Sequence, residues 1–295
     1  MKEYLRGFMQ EFEYPKDARD HLLADYGKIV KSSADALSVL LAEYDISYDI
    51  DFNAALEKMK EISALAGVHE YTGALLLFLC YTRRLREYYA EAGIADEIFK
   101  NSMLDLKYKL QECRLVHGVY GSFVAYWFAG FFKLDRFALG RLQFEIVRFG
   151  GDLTTQGVTL TPDSKLINVH IPRTGERLDY GAVRESYRLA SEFFSNRLGS
   201  VIAFVCSTWL FFPRHKTMLR EGSNLLSFIN DYDIFASGEY ANYNEVWRLF
   251  DCIYDGDPDH LPADTSLRRS YVELIRNGER TGWGKGIYVY KSGIN

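Results

Sequence analysis

Two side chains suited to proton transfer lie on the polar faces of predicted strands, Glu145 and His170. Residues 139–149 alternate between apolar and polar types, which indicates a strand with Glu145 on its polar face. A carboxylate held in a desolvated cleft is a better general base than one in water. Glu145 is therefore the first candidate for a catalytic base, with an ion pair to Arg141 or Arg148 as an equally good interpretation.

His170 lies in a second predicted strand, residues 166–171, in which Val169 and Ile171 face the opposite side. An imidazole titrates near neutrality and can pass a proton through water. His170 is thus a second candidate for the base, with a hydrogen-bonded structural histidine as the alternative.

The segment Pro172-Arg173-Thr174-Gly175-Glu176-Arg177 joins this strand to a predicted helix, residues 180–196. Backbone N–H groups at the start of a helix are unpaired and suit a phosphate or pyrophosphate. The two arginines would supplement them. An ordinary strand-to-helix connection explains the same pattern.

Other chemistries find no support in the sequence. It contains no HExxH or GxSxG motif, its histidines lack zinc spacing, and we expect no metal site. Cys206 lies in a continuously apolar predicted strand and is interpreted as an inert core thiol. Gly282-Trp283-Gly284-Lys285-Gly286 lacks the Ser or Thr of a nucleotide-binding loop and predicts a turn.

Composition excludes several classes of partner. The 295 residues are 48% hydrophobic and 25% charged with a net charge of −5, so neither disorder nor a broad nucleic-acid-binding face is expected. The longest apolar run, residues 74–81, is too short to span a bilayer. Four cysteines without a CxxC pair, and no signal-peptide pattern, predict a cytoplasmic protein that does not enter membranes.

The order of predicted elements indicates an α+β protein with two domains. Helical spacing fills residues 17–117, with stops at Gly67 and Gly93. Strands and helices alternate afterwards, including predicted strands at 201–212, 233–236, 246–251 and 287–290 and a helix at 266–277. We therefore predict an all-helical domain at 1–117 and an α/β domain at 118–295.

Several sequence blocks in one order resemble a family of GNAT-like acyltransferase-domain proteins. The blocks are Leu139-Gly140-Arg141-Leu142-Gln143-Phe144-Glu145, Val169-His170-Ile171-Pro172, Cys206-Ser207-Thr208-Trp209-Leu210, Ser223-Asn224, Asp264-Thr265-Ser266-Leu267-Arg268-Arg269 and Trp283-Gly284. The helical region is similar to the N-terminal domain that accompanies this one.

The resemblance implies a mixed sheet splayed at its central strand, here 166–171, with acyl-CoA in the splay. Backbone amides at Val169 and Ile171 would bind the pantetheine arm and the thioester carbonyl. Pyrophosphate would lie on the 172–180 turn, near Arg173, Thr174, Gly175 and Arg177. This turn departs from the family pattern, because its glycine comes early and Leu178 stands where Gly or Ala is usual.

Two further roles are implied by the same resemblance. Asn224 would bond an acyl or pantetheine amide, with helix capping as its alternative. Tyr232 would protonate the departing thiolate, with packing as its alternative. The implied activity is transfer of an acyl group, expected to be acetyl, from CoA to a primary amine of a small molecule or peptide. A catalytically inactive binding module and an enzyme for longer acyl chains remain open.

Overall fold

The structure of the chain, a computed structural model, describes residues 1–198 and 201–290. The contacts divide the chain into two units, Met1–Phe137 and the residues from Ala138 onward. The boundary predicted at residue 117 lies at the last residue of the helix Asp96–His117, within the first of these units.

The first unit is helical, as the sequence predicted. Its helices are α1 (Lys2–Glu11), α2 (Lys16–Ile46), α3 (Phe52–Leu65), α4 (Glu70–Glu91), α5 (Asp96–His117) and the short α6 (Ala129–Phe132). Asp51 caps α3 by accepting hydrogen bonds from the backbone of Asn53 and Ala54. Ser33 departs from helical geometry and kinks α2.

Aromatic side chains form much of the core of the first unit. Phe52, Tyr81, Tyr88 and Phe132 surround Tyr44, with their ring centroids 4.4–5.9 Å from that of Tyr44. The Tyr44 hydroxyl donates to the Phe132 carbonyl at 2.9 Å, so its polar atom is satisfied inside the core. In this unit, many of the aromatic residues that enrich the composition serve packing.

A six-stranded mixed sheet organises the second unit. Its strands are β1 (Arg136–Leu139), whose first two residues precede the division between the units, β2 (Leu142–Arg148), β5 (Lys165–His170), β6 (Ala203–Thr208), β7 (Asp233–Glu239) and β8 (Gly282–Val289), in the order β1-β2-β5-β6-β8-β7. β5 and β6 run parallel to each other. The pairs β2–β5, β6–β8 and β7–β8 are antiparallel.

Helices and a hairpin complete this unit. The helices are α7 (Tyr180–Phe193), α8 (His215–Met218), α9 (Asn224–Asn230), α10 (Trp247–Phe250) and α11 (Ser266–Arg276). The hairpin of β3 (Leu153–Thr155) and β4 (Val158–Leu160) packs with Leu166, Val205 and Ile287. We call the sheet face that carries these three residues the front face.

Two of the sequence expectations are wrong in this unit. Residues 246–251, predicted as a strand, contain α10, because so short an apolar run carries no decisive periodicity. Residues 282–286 form the first part of β8 instead of a turn. A side chain at Gly284 would lie 2.4 Å from the Phe211 carbonyl, so glycine here permits close packing on the strand.

In the described part of the chain, no helix combines the length and the apolar character needed to cross a membrane.

Candidate active site

Glu145 and His170 meet on the front face of the sheet. The β2–β5 register places Glu145 opposite Asn168, and Gln143 opposite His170. Side chains of paired residues stand on the same face of a sheet, and diagonal neighbours are within reach of long side chains. The two candidate bases of the sequence analysis are therefore brought into direct contact.

The three polar side chains form one hydrogen-bonded cluster. His170 Nε2 lies 2.8 Å from Glu145 Oε1. Asn168 Nδ2 donates to the same oxygen at 3.0 Å and lies 3.2 Å from His170 Nε2. The side chains of Glu145 and His170 are 17% and 19% exposed, so both are largely withdrawn from water yet accessible. An acidic and an imidazole group in such contact can share and move a proton.

Asn168 was not singled out as a site residue from the sequence. The sequence feature that could have identified it is its position two residues before His170, on the same face of the strand. By holding the Glu145 carboxylate, its amide fixes the rotamer of the candidate base. Arg148, one suggested ion-pair partner of Glu145, instead pairs with Asp163 at 2.7 Å.

The two central strands separate next to this cluster. β5 and β6 pair at Ile167↔Phe204 and Asn168↔Val205. Beyond this point β6 continues beside β8 as far as Thr208↔Gly284, while β5 continues beside β2 as far as Gln143↔His170. No further β5–β6 pair occurs within residues 1–198 and 201–290. A wedge therefore opens at the carboxyl ends of the two parallel strands.

The edge of β5 that borders this wedge can present main-chain groups to a ligand. Alternate residues of a strand direct their N–H and C=O groups toward the same neighbouring strand. Val169 and Ile171, the residues predicted to bind pantetheine, share this alternation. Such a row of peptide groups can pair with an extended chain that contains amide bonds.

The turn predicted to hold phosphate groups follows directly. Gly175 has a φ of +82°, which bends the chain, and the Thr174 hydroxyl accepts from the backbone N–H of Glu176. Arg177 is exposed, whereas Arg173 donates to Asp251 at 2.6 Å. Asp179 caps α7 by accepting from the Ala182 N–H.

Because Asp179 already accepts from an N–H group at the α7 N-terminus, phosphate binding at this turn would fall mainly to the arginine side chains.

The remaining predicted site residues lie on other elements. Asn224 is the first residue of α9 and is exposed, while Ser223 provides the cap of that helix. The Tyr232 hydroxyl is buried and lies 3.0 Å from the Tyr187 hydroxyl, and burial raises its pKa well above the ordinary value. Cys206 is buried in β6, where desolvation also raises the thiol pKa.

The two units of the chain correspond to the sequence profiles of two known domains. Residues 137–288 match the GNAT-like C-terminal domain, and residues 3–134 match the N-acyltransferase N-terminal domain. The chain belongs to this acyltransferase family. No curated protein matches the chain.

Solved acyltransferase structures share the fold of this family member. One, in complex with decanoyl-CoA and teicoplanin, is 21% identical with a TM-score of 0.73, covering 97% of this chain and 87% of its own. Another, a mutant in complex with octanoyl-CoA, is 21% identical with a TM-score of 0.71, covering 98% and 88%. The GNAT-like fold predicted from the sequence is thereby confirmed.

Proposed function

We propose that the protein is an acyl-CoA-dependent N-acyltransferase in which Glu145 and His170 accept the proton of a primary amine. The wedge between β5 and β6, which opens directly beside this pair, is the observation that carries the proposal. It offers an extended slot for the pantetheine arm on one side and a proton acceptor on the other. The solved relatives named above were obtained with decanoyl-CoA and octanoyl-CoA.

The reaction requires few side-chain groups. The amine nitrogen attacks the thioester carbonyl carbon, a C–N bond forms, and the C–S bond breaks. Glu145 or His170 takes the proton that the amine loses, and the CoA thiolate leaves and is protonated. Main-chain N–H groups of β5 at Val169 and Ile171 would polarise the carbonyl oxygen. Tyr232, the proton donor to the thiolate that the family resemblance implies, is buried beside Tyr187, and burial raises its pKa well above the ordinary value, so we expect it to pack rather than to donate.

The phosphates of CoA would lie on the turn that contains Arg173, Thr174, Gly175 and Arg177, with Asn224 on an amide of the arm or acyl group. Acetyl is the donor group expected from the family resemblance. A medium-length acyl chain is the second candidate, favoured by the relatives' complexes with decanoyl-CoA and octanoyl-CoA. Comparing acetyl-CoA with octanoyl-CoA and decanoyl-CoA as donors separates the two.

Equilibrium binding of these three acyl-CoAs tests the proposal directly. Binding to the folded protein alone raises stability by about 2.7 kcal/mol at a ligand concentration of 100 Kd. We expect a rise in Tm with at least one acyl-CoA, and release of free CoA thiol when a panel of primary amines is added. Absence of both at millimolar acyl-CoA would overturn the proposal.

Glu145→Gln separates an enzyme from an inactive binding module. Removal of a general base typically costs 10²–10⁴-fold, so we expect turnover to fall about 100-fold or more. Glutamine keeps an acceptor oxygen for Asn168, so acyl-CoA affinity should be unchanged. Asp163→Asn, which removes an exposed carboxylate paired with Arg148, is the control and should retain activity. Equal activity in both variants would exclude Glu145 as the base.

A further inference from the structure

A second group of side chains stands on the front face across the wedge from Glu145. Val205 of β6 pairs with Asn168 on one side and with Ile287 of β8 on the other. Two residues farther along, Ser207 pairs with Lys285. Because side chains two residues apart share a face, Ser207 and Lys285 lie on the same face as Asn168 and Glu145.

Aromatic rings border the Lys285 ammonium group. Its nitrogen is 6.0 Å from the Phe149 ring centroid and 5.8 Å from that of Phe235, and the two rings meet edge to face at 5.7 Å. Trp283, two residues before Lys285, shares its face. We call these four residues together with Ser207 the Lys285 platform.

The platform is open, and among the residues that the structure describes its lysine has no ion-pair partner. Ser207 is exposed, although the four residues before it in β6 are buried, and Phe235 is 37% exposed. In the ranges that the structure describes, no carboxylate lies within ion-pair distance of the Lys285 ammonium. The lysines that pair with a carboxylate are mostly exposed. Lys285 is instead half-buried, next to the Phe149 and Phe235 rings. A half-buried cation without a counter-ion favours binding of an anion.

We propose that the Lys285 platform binds the acceptor, and that the acceptor carries a carboxylate several bonds away from its reactive amine, with an aromatic or apolar body between them. This inference rests on the proposed acyl transfer at Glu145 and His170. The amine would lie at Glu145, the body would contact Phe149 and Phe235, and the carboxylate would accept from Lys285 and Ser207.

Strand spacing sets the length of this acceptor. Glu145 in β2 and Lys285 in β8 are separated by β5 and β6, and three strand spacings amount to about 14 Å. The Glu145 and Lys285 side chains both extend from the sheet and shorten this gap. A dipeptide, whose two residues span roughly 7 Å, has its amine and carboxylate at a suitable separation.

Two matched probes test the inference by binding. N-acetyl-glycyl-phenylalanine represents a product of acyl transfer, and its C-terminal amide differs only in lacking the negative charge. We expect the carboxylate form to bind about tenfold more tightly to the wild-type protein, because a charge-assisted hydrogen bond replaces a neutral one. Lys285→Met, which keeps the apolar stem, should abolish this preference, whereas Lys285→Arg should retain it.

A control variant and a second readout make each outcome decisive. Lys165→Met removes an exposed lysine at the start of β5 and should leave the preference intact. Equal affinity for the two probes, or a preference that survives Lys285→Met, overturns the inference. Thioester consumption with glycyl-phenylalanine and its amide is measured separately with acetyl-CoA and octanoyl-CoA. Turnover without a carboxylate preference leaves the acyltransferase proposal standing and removes this one. A carboxylate preference without turnover leaves an anion-binding platform but removes the acyltransferase proposal and, with it, the role of the platform as an acceptor site.

Discussion

Arg173, in the turn after β5, donates to the Asp251 carboxylate at 2.6 Å, and Arg268 of α11 reaches the same oxygen at 2.8 Å. Asp251 thus holds two guanidinium groups beside the turn that is proposed to bind phosphate. A pyrophosphate would have to compete with this carboxylate for Arg173. The strength of acyl-CoA binding should therefore depend on Asp251 as well as on the arginine.

Asp251→Asn should strengthen acyl-CoA binding. The amide keeps the shape of the side chain but removes its negative charge, which leaves Arg173 available to the phosphates. Because Arg173 is 36% exposed, solvent screens the effect, and we expect a decrease in Kd of about fivefold that fades as salt is added. Titration calorimetry at two salt concentrations measures it.

Arg173→Gln tests the same contact in the opposite direction, because it removes the guanidinium group, and it should raise the Kd for acyl-CoA. Asp264→Asn is the control, since Asp264 pairs with Arg268 at an exposed position and does not contact Arg173. If Arg173→Gln leaves the Kd unchanged, Arg173 is ruled out as a ligand of the phosphates.

Gly284→Ala should destabilise the second unit. An added Cβ would lie 2.4 Å from the Phe211 carbonyl oxygen and 2.8 Å from its Cβ, so the segment packed on β8 would have to shift. Overpacking of this kind costs about 1–3 kcal/mol in the free energy of unfolding. Urea denaturation measures the change.

Gly27→Ala is the matched substitution for this experiment. Gly27 lies within α2, and an added Cβ there meets nothing within 4 Å. Because alanine favours helix, we expect a gain of roughly 0.5–1 kcal/mol. The same sign for both substitutions would show that close approach to Phe211 does not govern Gly284.

The Tyr187–Tyr232 pair allows packing to be separated from catalysis at Tyr232. Both hydroxyls are buried and share one hydrogen bond, so Tyr187→Phe and Tyr232→Phe should each cost about 1 kcal/mol of stability. If Tyr232 only packs, kcat should fall equally little in both variants, and this is the outcome we expect. A loss of turnover confined to Tyr232→Phe would instead identify Tyr232 as the proton donor to the thiolate.

Much of the fold could be predicted because its signals are local. The glycines at 67, 93 and 118 follow α3, α4 and α5, each has a positive φ, and each lies where the helical spacing stops. The faces of β2 and β5 followed from alternation alone, which placed Glu145 and His170 on polar faces. The contact between them did not follow, because it depends on the register of two strands joined through the β3–β4 hairpin.

What the sequence did not predict depends likewise on contacts between distant segments of the chain. Residues 282–286 resemble a turn by composition, and the glycines inside the strand are explained by the close approach of Phe212, Phe211 and Tyr232 to β8, which only the folded structure shows. The Lys285 platform was invisible for a related reason. Phe149 follows β2, Phe235 lies in β7 and Lys285 lies in β8, so only the folded sheet brings the two rings to the ammonium group.

The burial of His215 predicts that the protein loses stability in acid. The sequence analysis found no zinc spacing around this histidine, and in the structure it is completely buried. Its Nδ1 lies 2.8 Å from the Leu210 carbonyl, and its Nε2 lies next to the Tyr271 hydroxyl. An Nδ1–H that donates to the carbonyl leaves Nε2 as an acceptor for the tyrosine, which requires a neutral ring. Burial accordingly lowers the pKa of His215 below its ordinary value of 6.5.

Because the unfolded chain binds a proton near pH 6.5 and the folded chain resists it, stability should decrease as the pH falls through and below this value. His215→Gln should reduce the difference between the free energies of unfolding at pH 7.5 and pH 5.5, measured by urea denaturation. His260 is the control with the opposite sign, since its hydrogen bond to Asp255 raises its pKa and favours the folded state in acid. His260→Gln should therefore enlarge the difference. An unchanged difference in His215→Gln would show that the buried imidazole is not what couples folding to pH.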